Sequence, residues 1–519
     1  MWGLFAGSVL LGALFLFVPG FLLLRAFRLP ILTAVVCAPL VSIPAYIAIC
    51  LLNAKMGVFS SWLTLFVPLF LVGVVAFAIG SLACRGKEIR LGVAFSPDGS
   101  PQGVWGSRWY LDWAVLGLYA TVGLVVASLC FAVILDGPDS FVQAYDNVHH
   151  LGVTHSFVES GNWSPFSAAL YTTASDNAIN PLPGSGFYPT AWNCMTALLV
   201  SSLGISTMMA ANAVNFLFIA LVFPTNMFVL MRIVFPEAPG VVTFGSLCTL
   251  GFSAFPWMLV SFGPLYPNLI ALCMVPSLVF CFISLFSCGV GRAARAAAGV
   301  LFCLGVLCCA FTQPNAVFTA AVFLIPFCVR QAVRSVNLLP VPPERRRVVQ
   351  IAAGCAMGVL VALVWYLLYK APFLQSVVSH SWPAVTSKPQ AIMDALSLGF
   401  RTEAMQFVLA IIVAVGGLYA VFRREYLWLA CSYALMAFLY VVDVSSDGPL
   451  QHLLTGFWYT DSFRVAASVA LFAIPLASLG LWVTFRTCCR LVYKAMRRDS
   501  PRTKALIACA VSSVFLLAC

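Results

Sequence analysis

Long apolar runs follow one another along almost the whole chain, and they leave room for little besides a bundle of membrane helices. Of the 519 residues, 62% are hydrophobic and only 9% are charged. That is more apolar surface than a water-soluble core can hide. A helix crossing the hydrocarbon layer needs about 20 apolar residues, and hydropathy by that rule marks about 14 spans. They lie at 2–24, 31–53, 60–82, 113–135, 207–231, 240–262, 265–287, 296–313, 314–331, 348–370, 405–422, 426–442, 463–485 and 504–519. The expected fold class is therefore an all-α polytopic membrane protein of about 14 transmembrane helices. Pro39, Pro44, Pro68, Pro224, Pro256 and Pro276 fall inside runs, where each predicts a kink.

Alternating these spans sorts the charge by side. Arg25, Arg28, Arg85, Lys87, Arg90, Arg108, Arg232, Arg292, Arg295, the Arg330 to Arg347 group, Arg423, Arg424 and the segment 486–504 fall on one face. Only Lys55, Lys370, Lys388, Arg401 and Arg464 fall on the other. The excess of basic residues marks the first face as cytoplasmic and puts the amino terminus outside, in a multi-pass plasma-membrane protein. All five histidines, His149, His150, His155, His380 and His452, lie outside under this reading. The net charge of +11 is thus a sidedness signal rather than a nucleic-acid signal. The first apolar run has no basic segment before it and no small-residue cleavage pattern, and reads as a mature helix. The 19 cysteines form no CxxC pair and read as small apolar residues.

The largest outer loop, 136–206, holds the densest ionisable stretch. It runs Phe141-Val-Gln-Ala-Tyr-Asp146-Asn-Val-His149-His150, then His155, Glu159, Gly161 and Trp163. If Gln143 to Gly152 is helical, Asp146, His149 and His150 stand at i, i+3 and i+4 on one face. A carboxylate beside imidazoles can accept and relay protons near neutral pH. The plainer alternative is a polar cap whose histidines bond the headgroup region. Two further outer loops, 371–404 and 443–462, follow. The chain divides into 1–112, three leading helices and a linker; 113–335, a core with the acidic and histidine loop; and 336–519, the remaining helices and a basic segment.

The Asp146 stretch resembles the first-loop signature of the GT-C superfamily, membrane glycosyltransferases that use polyprenyl-phosphate sugars. The match reads Tyr145-Asp146-Asn147-Val148-His149-His150, followed by Glu159-Ser160-Gly161-Asn162-Trp163. Two more pieces are similar to a group of large actinobacterial membrane proteins of this type: Gly186-Phe187-Tyr188-Pro189-Thr190-Ala191-Trp192-Asn193 and Thr312-Gln313-Pro314-Asn315-Ala316-Val317. In that group a His is expected where Asn193 stands. The three spans before the acidic loop also depart from the usual arrangement, in which that loop follows the first helix. The resemblance covers roughly 110–330.

The resemblance implies transfer of a sugar from a polyprenyl-phosphate donor to a cell-envelope glycan or glycolipid acceptor at the outer face of the bilayer. Asp146 is the expected base, with Asp139 as the alternative; Gly137-Pro138 also makes Asp139 a natural turn residue. His149 and His150 would orient Asp146, bind the acceptor or hold a metal. A divalent metal would need at least three ligands, from Asp146, His150 and Glu159 or Asp176. No resident cofactor is otherwise expected. Arg401 and Arg464 are the outer cations suited to a lipid phosphate, with snorkelling as the alternative for each. His452 is a possible helper. Tyr188 and Trp192, at i and i+4, would stack on a sugar, and Gln313 and Asn315 at the helix break would line the cavity. The run 175–186 is turn-rich and is expected to act as a lid. A carrier for a lipid-linked glycan is the rival reading; it would place ionisable groups near the mid-bilayer on broken helices.

Overall fold

The computed structural model describes residues 1–83, 88–91, 109–168, 186–287, 291–402, 404–496 and 501–518. About four in five of these residues are helical, and 11 of the described helices are long and apolar enough to cross a membrane. In lipid every backbone polar group needs an internal partner, which is why apolar runs of this length become helices. In chain order the helices are α1 (Trp2–Ala26), α2 (Ile31–Met56), α3 (Trp62–Ala83), α4 (Trp109–Ala127), α5 (Asn147–Ser160), α6 (Ala191–Leu203) and α7 (Thr207–Val234). There follow α8 (Pro239–Cys248), α9 (Trp257–Ser261), α10 (Tyr266–Leu285), α11 (Arg292–Thr312), α12 (Asn315–Ser335) and α13 (Pro343–Tyr369). The last are α14 (Lys388–Ser397), α15 (Phe407–Phe422), α16 (Leu427–Ser445), α17 (Pro449–Thr455), α18 (Ser462–Met496) and α19 (Pro501–Ala518).

Three of the expected runs take other forms. The run 240–262 is split into α8 and α9 around Pro256. The run 405–422 gives α15, only 16 residues long. The run 504–519 gives α19, whose first turn carries Arg502 and Lys504. Pro39 and Pro44 sit inside a continuous α2, and Pro68 inside α3. Pro224 follows a π-helical turn at Phe218–Val222, the kind of local widening that frees space where a proline interrupts the ladder.

The chain forms two compact units, Met1–Pro239 with Val260–Val317, and Gly240–Leu259 with Phe318–Cys519. In the first, α1 packs along α2 and α3, and α2 packs on α11. Gly20 makes the α1–α2 crossing possible: a Cβ there would lie 2.2 Å from Ala38 O. Its N–H donates to Ser42 Oγ at 2.9 Å. Short α5 lies on α6, and α6 on α7, building the shelf that carries the Asp146 cluster. Gly161 and Gly204 end α5 and α6 in the left-handed conformation that glycine adopts most readily.

In the second unit α18 is the axis, flanked by α15 and α16. A Cβ on Gly416 would lie 1.9 Å from Leu476 O, and one on Gly480 would lie 2.0 Å from Ile412 O. Without a hydrophobic drive between helices in lipid, such close contact of small residues is a main source of association.

Candidate functional site

In the first unit the helix carrying the ionisable stretch starts at Asn147, later than the expected Gln143, so Asp146 caps it rather than lying within it. Asp146 N donates to Gly263 O at 2.7 Å, and Asp146 O accepts from His150 N at 3.0 Å. Tyr145, just before it, holds a positive φ of 38°. A bulky residue is rarely found there, and such strain gathers at functional sites. The Asp146 carboxylate is exposed, His149 is half-buried and His150 is buried.

Around these side chains the fold gathers residues from three further stretches. The His149 ring meets Tyr188 edge-on at 4.8 Å. Tyr188 Oη lies 3.5 Å from His150 Nδ1. His150 also faces Trp192 at 5.6 Å and Tyr266 at 6.1 Å. Trp192 and Tyr266 stack at 5.3 Å. Burial pushes the His149 imidazole below its ordinary 6.5, while the nearby Asp146 charge pulls it back up. The result is an exposed carboxylate next to a largely neutral imidazole, above an aromatic floor. Such a set can take a proton from a hydroxyl and can hold a ring-shaped polar ligand.

Trp192 belongs to the floor: it is fully buried and its Nε1–H donates to Asn215 Oδ1 at 2.9 Å. Tyr188 is the half-buried ring of the pair. Asn193, at the position where the resemblance expects His, donates to His150 O at 3.0 Å and to Thr154 Oγ1 at 3.1 Å, and so ties α6 to α5.

The remaining expected residues lie elsewhere. Asp139 accepts a short hydrogen bond from Ser206, whose hydroxyl also accepts from Met209 N at the start of α7. Asp139 therefore braces a helix cap. Glu159 pairs with His155 at 3.1 Å, both well exposed, at the far end of α5 from Asp146. Gln313 ends α11, and its N–H donates to Cys309 O at 2.7 Å. Phe311, two residues before, meets Phe187 at 6.0 Å, which brings the helix break toward the Tyr188 segment. Asn315 opens α12 and is buried. Asp176 and most of the expected lid, 175–185, lie outside the described residues. Among the described residues no group of three His, Cys, Asp or Glu side chains is placed to hold a metal ion.

Arg401, Arg464 and His452 belong to the second unit. Arg464 Nε meets Asp461 Oδ2 at 3.0 Å, and its guanidinium lies 4.6 Å from the Tyr459 ring centre. Asp461 also accepts from Phe463 N at 2.9 Å, capping α18. Arg401 lies 5.3 Å from the Phe463 ring centre. The backbone around both arginines is strained: Leu398, Phe400, Arg401, Tyr459 and Thr460 all have positive φ. His452 Nδ1 is 3.0 Å from Val378 O.

Two residues that the sequence reading passed over stand out here. Asp443, near the end of α16, is 2% exposed, and neither carboxylate oxygen has a hydrogen-bond partner among the described residues. Its polar neighbours are Thr455 and Asp461. The Thr455 hydroxyl is spent on Gln451 O at 2.9 Å. Gln451 gives its amide to Asp443 O at 2.9 Å and leaves its own Oε1 without a donor. The only signal in the sequence was a lone acid at the edge of an apolar run.

The fold and the shelf define an all-α, multi-pass membrane protein with a carboxylate, imidazole and aromatic cluster borne on a short helix outside its long spans. The chain belongs to a family described as a family of unknown function, DUF6541, whose model matches residues 13–519. No curated protein and no solved structure matches it.

Proposed function

We propose that this protein is a membrane glycosyltransferase that moves a sugar from a polyprenyl-phosphate donor to a hydroxyl of a cell-envelope glycan or glycolipid. On this reading the amino terminus and the Asp146 shelf lie on the extracytoplasmic side, which the bias of basic residues along the sequence supports. The observation that carries the reading is the placing of exposed Asp146 beside His149, with Tyr188 edge-on to that imidazole. Asp146 takes the acceptor hydroxyl proton as the new carbon–oxygen bond forms at the anomeric carbon. The bond from that carbon to the phosphate oxygen breaks, and the lipid phosphate leaves with the electron pair. Tyr188 supplies the sugar-facing ring, and Trp192 and Tyr266 fix the His150 imidazole from beneath.

Membranes holding the full chain, supplied with radiolabelled polyprenyl-phosphate sugars, test the reading. Asp146→Asn keeps the size of the side chain and removes the base, so transfer should fall by about 100-fold or more. Equal transfer by both proteins overturns the role of Asp146.

A second reading, a carrier for a lipid-linked glycan, is favoured by one observation: Asp443 is a buried carboxylate two residues from the end of α16, a helix long enough to span. Movement of labelled lipid across vesicles without sugar transfer would favour the carrier.

A further inference from the structure

The end of α18 remote from Arg464 bears a stripe of residues that the proposed reaction does not use. Trp482, Phe485, Arg486, Cys489, Arg490 and Tyr493 recur at helical spacing on one face, and Lys504 of α19 closes the same cavity. Its volume is about 410 Å³, within the range of ligand sites. Three of the seven described lining side chains are cations.

The walls are apolar and held in place. Trp482 and Phe485 stack at 5.3 Å, and Phe244 meets them at 6.1 Å and 5.5 Å. Gly240 lets the backbone of α8 close on the indole: a Cβ there would be 2.4 Å from the Trp482 ring. The Arg486 guanidinium lies 5.9 Å from the Trp482 ring centre. Arginine offers a planar fork of donors suited to a phosphate, and the aromatic walls suit glycerol and the first acyl carbons. The stripe starts where the apolar length of α18 gives way to Arg486, Arg490 and Lys494, the level at which headgroups meet a spanning helix.

We infer that this cavity binds the phosphate headgroup of an anionic phospholipid, with Arg486, Arg490 and Lys504 on the phosphate and Trp482, Phe485 and Tyr493 on the glycerol backbone. The cavity is larger than inorganic phosphate fills, and its apolar walls suit a lipid better than the free ion. The inference stands apart from the glycosyl-transfer reading.

The test uses the full chain in detergent, with thermal unfolding followed after addition of phosphatidylglycerol, phosphatidylcholine or inorganic phosphate. Phosphatidylglycerol should raise the midpoint, and the other two should not. The triple variant Arg486→Gln, Arg490→Gln, Lys504→Gln should lose most of that rise. Arg345→Gln, Arg346→Gln, Arg347→Gln, with the same loss of charge on α13, should keep it. An equal rise in both variants overturns the site, and a full rise with inorganic phosphate overturns its assignment to a lipid. Should the triple variant not fold, a photoreactive phosphatidylglycerol on the wild-type protein decides. Crosslinks within 482–504 that unlabelled phosphatidylglycerol competes away support the site. Crosslinks spread evenly over the spans overturn it.

Discussion

Asn193 reaches from α6 to α5 and donates to the Thr154 hydroxyl at 3.1 Å while also donating to His150 O. One amide thus fixes the helix that bears both site histidines, and it does so from a fully buried position. Replacing it by Ala removes both bonds; His150 O still accepts from the Thr154 hydroxyl, but the buried Thr154 oxygen loses its donor, which costs about 1–3 kcal/mol. Asn193→Ala should lower the unfolding midpoint in detergent and reduce transfer together. Asn193→His presents its donors on separate ring nitrogens. It should keep one of the two bonds and fall between wild type and Ala.

His149 makes the shelf sensitive to acid. Burial holds its imidazole below the ordinary 6.5, so the folded state favours the neutral ring. The unfolded chain therefore takes the proton first as pH falls. Stability from this group is complete above about 6.5 and declines as pH drops through and below that value. His149→Gln should flatten this part of the stability profile. Asp146→Asn removes the charge that pulls the imidazole up, so it should lower the His149 value further. Nitrogen NMR of the labelled histidines reads both shifts, and an upward move of His149 in Asp146→Asn would count against the two groups being neighbours.

Asp443 presents the opposite case, a buried carboxylate that no described side chain satisfies. A group of this kind lowers stability unless something else holds it in place. Asp443→Asn removes the buried charge at the same size. The expected outcome is a higher unfolding midpoint with impaired transfer or transport. A lower midpoint with activity intact would make Asp443 a structural residue only.

The sequence carried the membrane class and most spans because each helix needs its own unbroken apolar length, a property local to the chain. The closeness of Asp146, His149 and His150 was also local, set by spacing along one helix. Glu159 shares the loop but stands 13 residues on from Asp146, which at 1.5 Å per residue is about 20 Å along the axis. It therefore never joins the cluster. Trp192 and Tyr188 look alike in a sequence, as aromatics near an interface. Only packing against Asn215 and Tyr266 shows that one ring is floor and the other is wall. Tyr266, from the start of α10, and Asn193 enter through tertiary contacts that no spacing rule announces. The break in 240–262 was marked by Pro256, but a proline in an apolar run is compatible with a kinked span as well as a split one.

The crossing of α15 on α18 gives the sharpest test of the second unit. Gly416 and Gly480 face each other's helix so closely that a methyl group on either would overlap a carbonyl oxygen, at 1.9 Å and 2.0 Å. Neither oxygen belongs to a side chain that can swing aside, so the helices themselves must part. Parting them forfeits the contacts on either side of the crossing, among them buried Ile412 and Leu476. Gly416→Ala and Gly480→Ala should each cost about 1–3 kcal/mol, the range for overpacking. Gly417→Ala is the control, because a Cβ there meets nothing within 4 Å and a helix gains from alanine over glycine. Unfolding midpoints in detergent, read for all three variants, should fall for the first two and hold or rise for the third. A Gly480→Ala protein as stable as Gly417→Ala would mean that the two helices do not cross at these residues.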